Sequence, residues 1–319
     1  MGIENEKTYD AVFKVSVQNM KDYLIPLVNE AFKEHFTEKA EVYLLPEKQE
    51  TKQTDGSIIE REMDVHARMV EGNVTKFYHF ELESTAGNKS FAIRIAEYAA
   101  GAAFGSAVLT ETGAKMTIPY SAVIFLRSTD NTPDKLTIEI EYPGGTCSYE
   151  APALKLKDYS VDELFDKRLY LLIPYYAFNL EKNFEKMDSA GIEELKEAYD
   201  SIFNKLSGMV GSGEIGEADR SHLLDWMAEV LNKLTYKHKN LREGVDALMT
   251  TYILRTRTDE ILDQGKQQRD REKIEEMLRK GKTPEAIADF CDYPIELVKS
   301  VQESMKAQEA QEENMAIAN

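Results

Sequence analysis

Two runs of alternating side chains, joined by Glu71-Gly72-Asn73, constrain this chain more than any other feature. IIEREMDVHARMV and VTKFYHFELES each change character at nearly every second residue. A period of two marks a half-buried strand. Gly-Asn between two such runs predicts a two-residue hairpin. The turn fixes a register. Glu71 pairs with Val74, and counting outward His66 faces His79, Asp64 faces Glu81 and Glu62 faces Glu83. Directly opposed residues have Cβ atoms about 5 Å apart. Met63, Val65, Ala67 and Met69 then take the apolar face with Tyr78, Phe80 and Leu82. The other face sets acid against acid and histidine against histidine. Opposed like charges are unfavourable. Two kinds of compensation are open: a divalent cation, whose natural ligands are carboxylate oxygens, or a raised pKa on one partner. A solvated acidic strand face is the plain alternative.

The flanking patterns are mixed. Residues 19–36 carry Leu24, Leu27, Val28, Ala31 and Phe32 at helical spacing, with Pro26 near the first turns. EVYLLP (41–46) reads as a strand and KQETKQTDGS (48–57) as a polar loop. Residues 88–109 read as a small-residue helix, PYSAVIFLRS as a buried strand, and KLTIEIEYP with TCSYEAPAL as a hairpin around Gly144-Gly145. The pattern turns helical from about residue 160. GMVGSGEIGE (208–217) follows a helical pattern and lacks the Gly-Lys-Ser/Thr ending of a phosphate-binding loop, so it reads as a connector. The fold class expected is α/β (α+β): a mixed central sheet flanked by helices, then an all-helical C-terminal region. The divisions drawn are 1–180, 181–257 and 258–319.

At these residues the chain resembles the PD-(D/E)xK nuclease superfamily, and more narrowly its transposase or Rpn-type recombination-promoting nuclease families. The resemblance rests on TYDAVFK, MDVHARMVEGNVTKFYHFELES and SFAIRIAEYAAGA, within residues 8–128. It implies a restriction-endonuclease-like core and Mg²⁺-dependent hydrolysis of a DNA phosphodiester, linked to recombination or mobile elements. Asp64 would be the acid of the second strand and Glu81 the first acid of the E-x-K position. Glu83 stands where Lys or Gln is usual. Arg94 and Tyr98, four apart on the next helix, would face the site together, and Lys89 or Arg94 would substitute for the missing lysine. Asp10, Phe13 and Lys14 match the N-terminal element. The site implied is Asp64, Glu81, Glu83, Arg94 and Tyr98, with Asp64 and Glu81 as ligands of Mg²⁺. His66 and His79 extend the set toward Mn²⁺ or another divalent metal, or are structural histidines flanking it. Glu30 is a further acid whose direction is open. A nuclease fold that has lost activity and serves as a binding or assembly module is the second reading. A metal-binding α+β protein outside the nucleases, built on the two histidines, is the third.

Charge enters as an opposing consideration. The 319 residues carry a formal net charge of −18, so low affinity for DNA is expected, because Lys and Arg neutralising phosphates supply most non-specific binding. No apolar run spans a bilayer, the N-terminus shows no signal-peptide core, and Gly2 lacks the myristoylation context. Cys147 and Cys291 form no zinc or disulfide pattern. A cytoplasmic protein without membrane attachment is expected.

Toward the C-terminus, residues 258–280 read as a charged helix. It holds Lys266, Arg269, Arg271, Lys273, Arg279, Lys280 and, at its end, Lys282, diluted by Asp270, Glu272, Glu275 and Glu276. GKTPEAIADFCDYPIELVKSVQ resembles a helix-turn-helix. Thr283 caps, Pro284 opens the helix, and Ala286, Ile287 and Phe290 meet Leu297 and Val298. Its second helix offers only Lys299 and Gln302 to bases, beside Glu296 and Glu303, so a packing or homo-oligomerising module is favoured.

Overall fold

The computed structural model describes residues 8–46, 48–52, 58–85, 91–184, 189–236, 239–291 and 293–305. The chain forms two compact units, Met1–Ile253 and Leu254–Asn319.

The first unit is built on a six-stranded mixed sheet. Its order is β1 (Glu41–Leu44), β4 (Val65–Glu71), β5 (Val74–Glu83), β8 (Tyr120–Phe125), β10 (Gly145–Lys155) and β9 (Lys135–Tyr142). The central pairs β5–β8 and β8–β10 run parallel, and the outer pairs are antiparallel. Gly72 turns the β4–β5 hairpin with φ of 58°, a conformation glycine reaches without a Cβ penalty. The ladder pairs Glu71 with Val74, His66 with His79 and Val65 with Phe80, as the turn predicts.

The alternation divides the two faces. Val65, Ala67, Met69, Tyr78, Phe80, Leu82, Ala122 and Ile124 join one large core. That core also takes Phe13 of α1 (Thr8–Asn19), Leu27 of α2 (Leu24–Phe32), the 3-10 segment Tyr170–Tyr175 and much of α7 (Glu217–Leu234). On the other face, Phe91 and Ile95 of α3 (Phe91–Gly105) pack on Val123, Phe125, Ile138 and Ala151. Helices therefore cover both faces, as a largely parallel sheet centre requires.

The run of residues 58–70 is not one strand. It breaks into β3 (Ile58–Glu62) and β4, with a bend at Asp64. β3 pairs with β2 (Lys48–Lys52), so Glu62 stands opposite Lys48 rather than Glu83. The polar stretch expected as a loop is thus partly strand; its residues 53–57 lie outside the described residues. The helix expected over 19–36 is shorter and has a neighbour. α1 precedes it, and α2 stops where Lys33 adopts a left-handed φ of 55°. The small-residue helix ends at Gly105. Val108–Leu109 and Ala114–Lys115 then form a two-residue ribbon, β6 and β7.

The helices α4 (Val161–Asp166), α5 (Ala177–Phe184), α6 (Ser189–Ser212) and α7 complete the first unit's core with the start of α8 (Lys239–Arg279). Gly208 and Gly211 lie inside α6; the chain breaks only at Gly213, with φ of 76°. In the second unit, Ile274 packs with Ile287 of α9 (Pro284–Cys291) and with Val298 and Val301 of a helix over 295–305. Thr283 Oγ1 accepts the Ala286 N–H, as expected of a cap. Phe290 was expected inward but is 81 % exposed. Ile287 and Val298 fill that seam, which leaves Ala286, Phe290 and Leu297 on the outside.

Candidate functional site

The carboxylates meet where β4 has not yet begun. At Asp64 the ladder is absent, and side chains replace its hydrogen bonds. The Leu82 N–H donates to Asp64 Oδ2 at 2.8 Å, and the Asp64 N–H donates to Glu81 Oε1 at 3.3 Å. Each acid thus satisfies a main-chain donor on or beside the strand carrying the other. The remaining oxygens face cations. Lys14 Nζ lies 3.8 Å from Asp64 Oδ1, and Arg94 Nε lies 3.6 Å from Glu81 Oε2.

Three elements supply the set. α1 brings Asp10 and Lys14, one turn apart; the hairpin brings Asp64, Glu81 and Glu83; α3 brings Arg94 and Tyr98. Arg94 Nη2 also reaches Glu83 Oε2 at 3.2 Å, while Glu83 Oε1 accepts the Thr85 N–H at 2.7 Å. The Arg94 guanidinium lies over the Phe91 ring. Glu83 is therefore held by Arg94 from α3.

Electrostatics follow from burial. Asp64 is 6 % and Glu81 2 % exposed. Burial pushes Glu81 up to about 8, against the pull of Arg94. Burial also raises Asp64 well above the carboxylate range, and the charges of Glu81 and Asp10 add to it. Asp10 is raised by burial to about 6. Three acids thus share one site, each disfavoured as an anion there. Compensation by raised pKa is present in the described residues.

The histidines lie one step along the sheet. His79 Nε2 is 2.9 Å from Glu81 Oε1, and Nδ1 is 3.2 Å from Ser121 Oγ. The Tyr98 ring meets the His79 ring edge-on at 5.9 Å. Burial pulls His79 down to about 3 and His66 to about 4. Both ring nitrogens of His79 are engaged within the protein, and it stands behind Glu81. Among the described residues no group of three or more His, Cys, Asp or Glu is arranged to hold a metal. Two carboxylates suit Mg²⁺, which keeps waters and substrate oxygens as its other ligands.

Lys14, which in the sequence belongs only to an N-terminal element, lies beside Asp64. Ser121 had one signal in the sequence: it is the lone polar residue in the apolar run SAVIFL. Glu30 does not come to this site. It binds Tyr159 and Lys167 and lines a separate cleft of about 1150 Å³ between α2, β1 and Arg168. Several charges there pair with one another, Lys167 with Glu30 and Arg168 with Glu38. Lys89 lies outside the described residues.

No protein-family model, curated protein or solved structure matches this chain. No helix among the described residues is long and apolar enough to cross a membrane.

Proposed function

We propose that the chain is a Mg²⁺-dependent DNA endonuclease of the PD-(D/E)xK type, with a restriction-endonuclease-like core. One observation carries the reading: Asp64 and Glu81 are clasped together across the hairpin, with Lys14 and Arg94 on their outer oxygens. Asp64 Oδ1 and Glu81 Oε2 would hold the metal, with Mn²⁺ as a substitute. A divalent ion held there would supply polarisation of a phosphoryl oxygen and a lowered pKa for a water near phosphorus.

The protein's own groups supply the rest. Lys14 takes the electrostatic role that a strand lysine would have at position 83, stabilising charge on the scissile phosphate. Arg94 holds Glu83 and screens it from Glu81. Asp10 and Glu83 are the acids available to accept a proton from the attacking water. The setting is cytoplasmic, and the biological context is recombination or mobile-element DNA. Homo-oligomers would form through the C-terminal helices.

The test is metal-dependent nicking of plasmid DNA. Wild type is expected to cut with Mg²⁺ or Mn²⁺, and Asp64→Ala and Glu81→Ala are expected to lose it. A wild-type protein inert with both metals overturns the reading.

A second reading has its own observation. The two central acids are almost sealed from solvent, and Glu83 is already tied to Arg94. A nuclease fold retained as a binding or assembly module fits that sealing and the net charge of −18. In that case no metal binds, and the cluster is structural.

A further inference from the structure

Three adjacent strands place His66, His79 and Ser121 in one row across the sheet. His79 has no exposed surface and Ser121 is 1 % exposed. Glu81, His79 and Ser121 have the residue types of an acyl-transfer triad. Their burial removes that role, because no substrate carbonyl reaches a serine oxygen inside the sheet.

An ionised Glu81 only accepts hydrogen bonds, so Nε2–H of His79 donates to it across 2.9 Å. The other nitrogen of a neutral ring then accepts, so Ser121 Oγ–H turns to it across 3.2 Å in preference to the Pro119 carbonyl, 3.4 Å away. The Tyr98 ring meets the imidazole edge-on. The imidazole has no exposed surface. Glu81 Oε1 is thereby fixed from behind by His79 and from the side by the Asp64 N–H. Only Oε2 is left toward the Arg94 side.

We infer that His79 is a positioning residue for Glu81, with Ser121 answering the tautomer that Glu81 sets, and that it is not itself a metal ligand. The inference deepens the proposed metal site and rests on Glu81 being a ligand there; the tautomer does not depend on metal.

Two arms test it. The first measures Mn²⁺ affinity by calorimetry. His79→Phe fills the space without a donor and is expected to bind 10- to 100-fold more weakly, the usual cost of losing a partner behind a ligand. His79→Gln keeps a donor and is expected to recover most of that loss. Equal affinity in wild type and His79→Phe overturns the inference. The second arm records long-range ¹H–¹⁵N spectra of the His79 ring at pH 9.5 without metal. A single Nε2–H tautomer is expected in wild type and in Ser121→Ala, because Glu81 sets it. An Nδ1–H tautomer in wild type overturns it. Should wild type bind no Mn²⁺, the metal reading fails, while the spectra still decide the tautomer.

Discussion

Asp64 and Glu81 hold each other through the main chain: the Asp64 N–H donates to Glu81 Oε1, and the Leu82 N–H beside Glu81 donates to Asp64 Oδ2. Two acids that repel as anions are thus locked into one geometry by neutral donors. The arrangement stores a dependence on pH and on cations.

Stability of the metal-free protein should fall between pH 6.5 and 8. Burial lifts Glu81 to about 8, and Asp64 moves the same way. A raised folded-state pKa adds stability that is complete below the unfolded value and gone once pH passes the folded value. His66 and His79 are shifted down, so their effect is complete by about pH 6.5. Between these limits the acids dominate, with a slope of roughly 1 kcal/mol per pH unit per proton. Urea titrations at several pH values measure it. Glu81→Gln is expected to flatten the decline, and Mg²⁺ to oppose it.

Arg94→Met should destabilise the fold by about 1–2 kcal/mol. It strips the cation from Glu83 and Glu81, which are buried. The cost stays below that of a fully buried broken pair because Arg94 is 39 % exposed. Arg94→Lys is expected to recover part of it. Thermal melts in low and high salt check both.

Gly72→Val should cost about 1–2 kcal/mol, the penalty of a left-handed β-branched residue. Nothing lies within 4 Å of the added Cβ, so the cost is backbone alone. Gly72→Asn is expected to lose less. Equal stability of all three proteins would show that the turn does not hold the register.

Phe80→Ala should cost about 3–5 kcal/mol. Phe80 is fully buried on the large-core face, next to the Phe32 ring. Chemical denaturation of the variant measures the loss.

The hairpin was legible because one dipeptide and a period of two determine it. The meeting of Asp64 with Glu81, and of His66 with His79, follows from counting. The apolar strand SAVIFL and the Gly144-Gly145 hairpin read as clearly. What the sequence hid has physical causes. The bend at Asp64 interrupts no hydrophobic period, so β3 and β4 looked continuous, and Glu62 seemed to face Glu83. α1 has a weak apolar stripe, and its role in delivering Asp10 and Lys14 comes from tertiary packing. Phe290 looked like a core residue, but Ile287 and Val298 already close that seam. The tie between Arg94 and Glu83 depends on where α3 crosses the sheet, which no local pattern encodes.

The central claim is that Asp64 and Glu81 together hold one divalent cation. Calorimetric titration of Mn²⁺ into wild type, Asp64→Asn and Glu81→Gln at pH 8 tests it most directly. One site per chain is expected in wild type, lost or at least 100-fold weaker in both variants. No binding to wild type, or equal binding to all three, would contradict it.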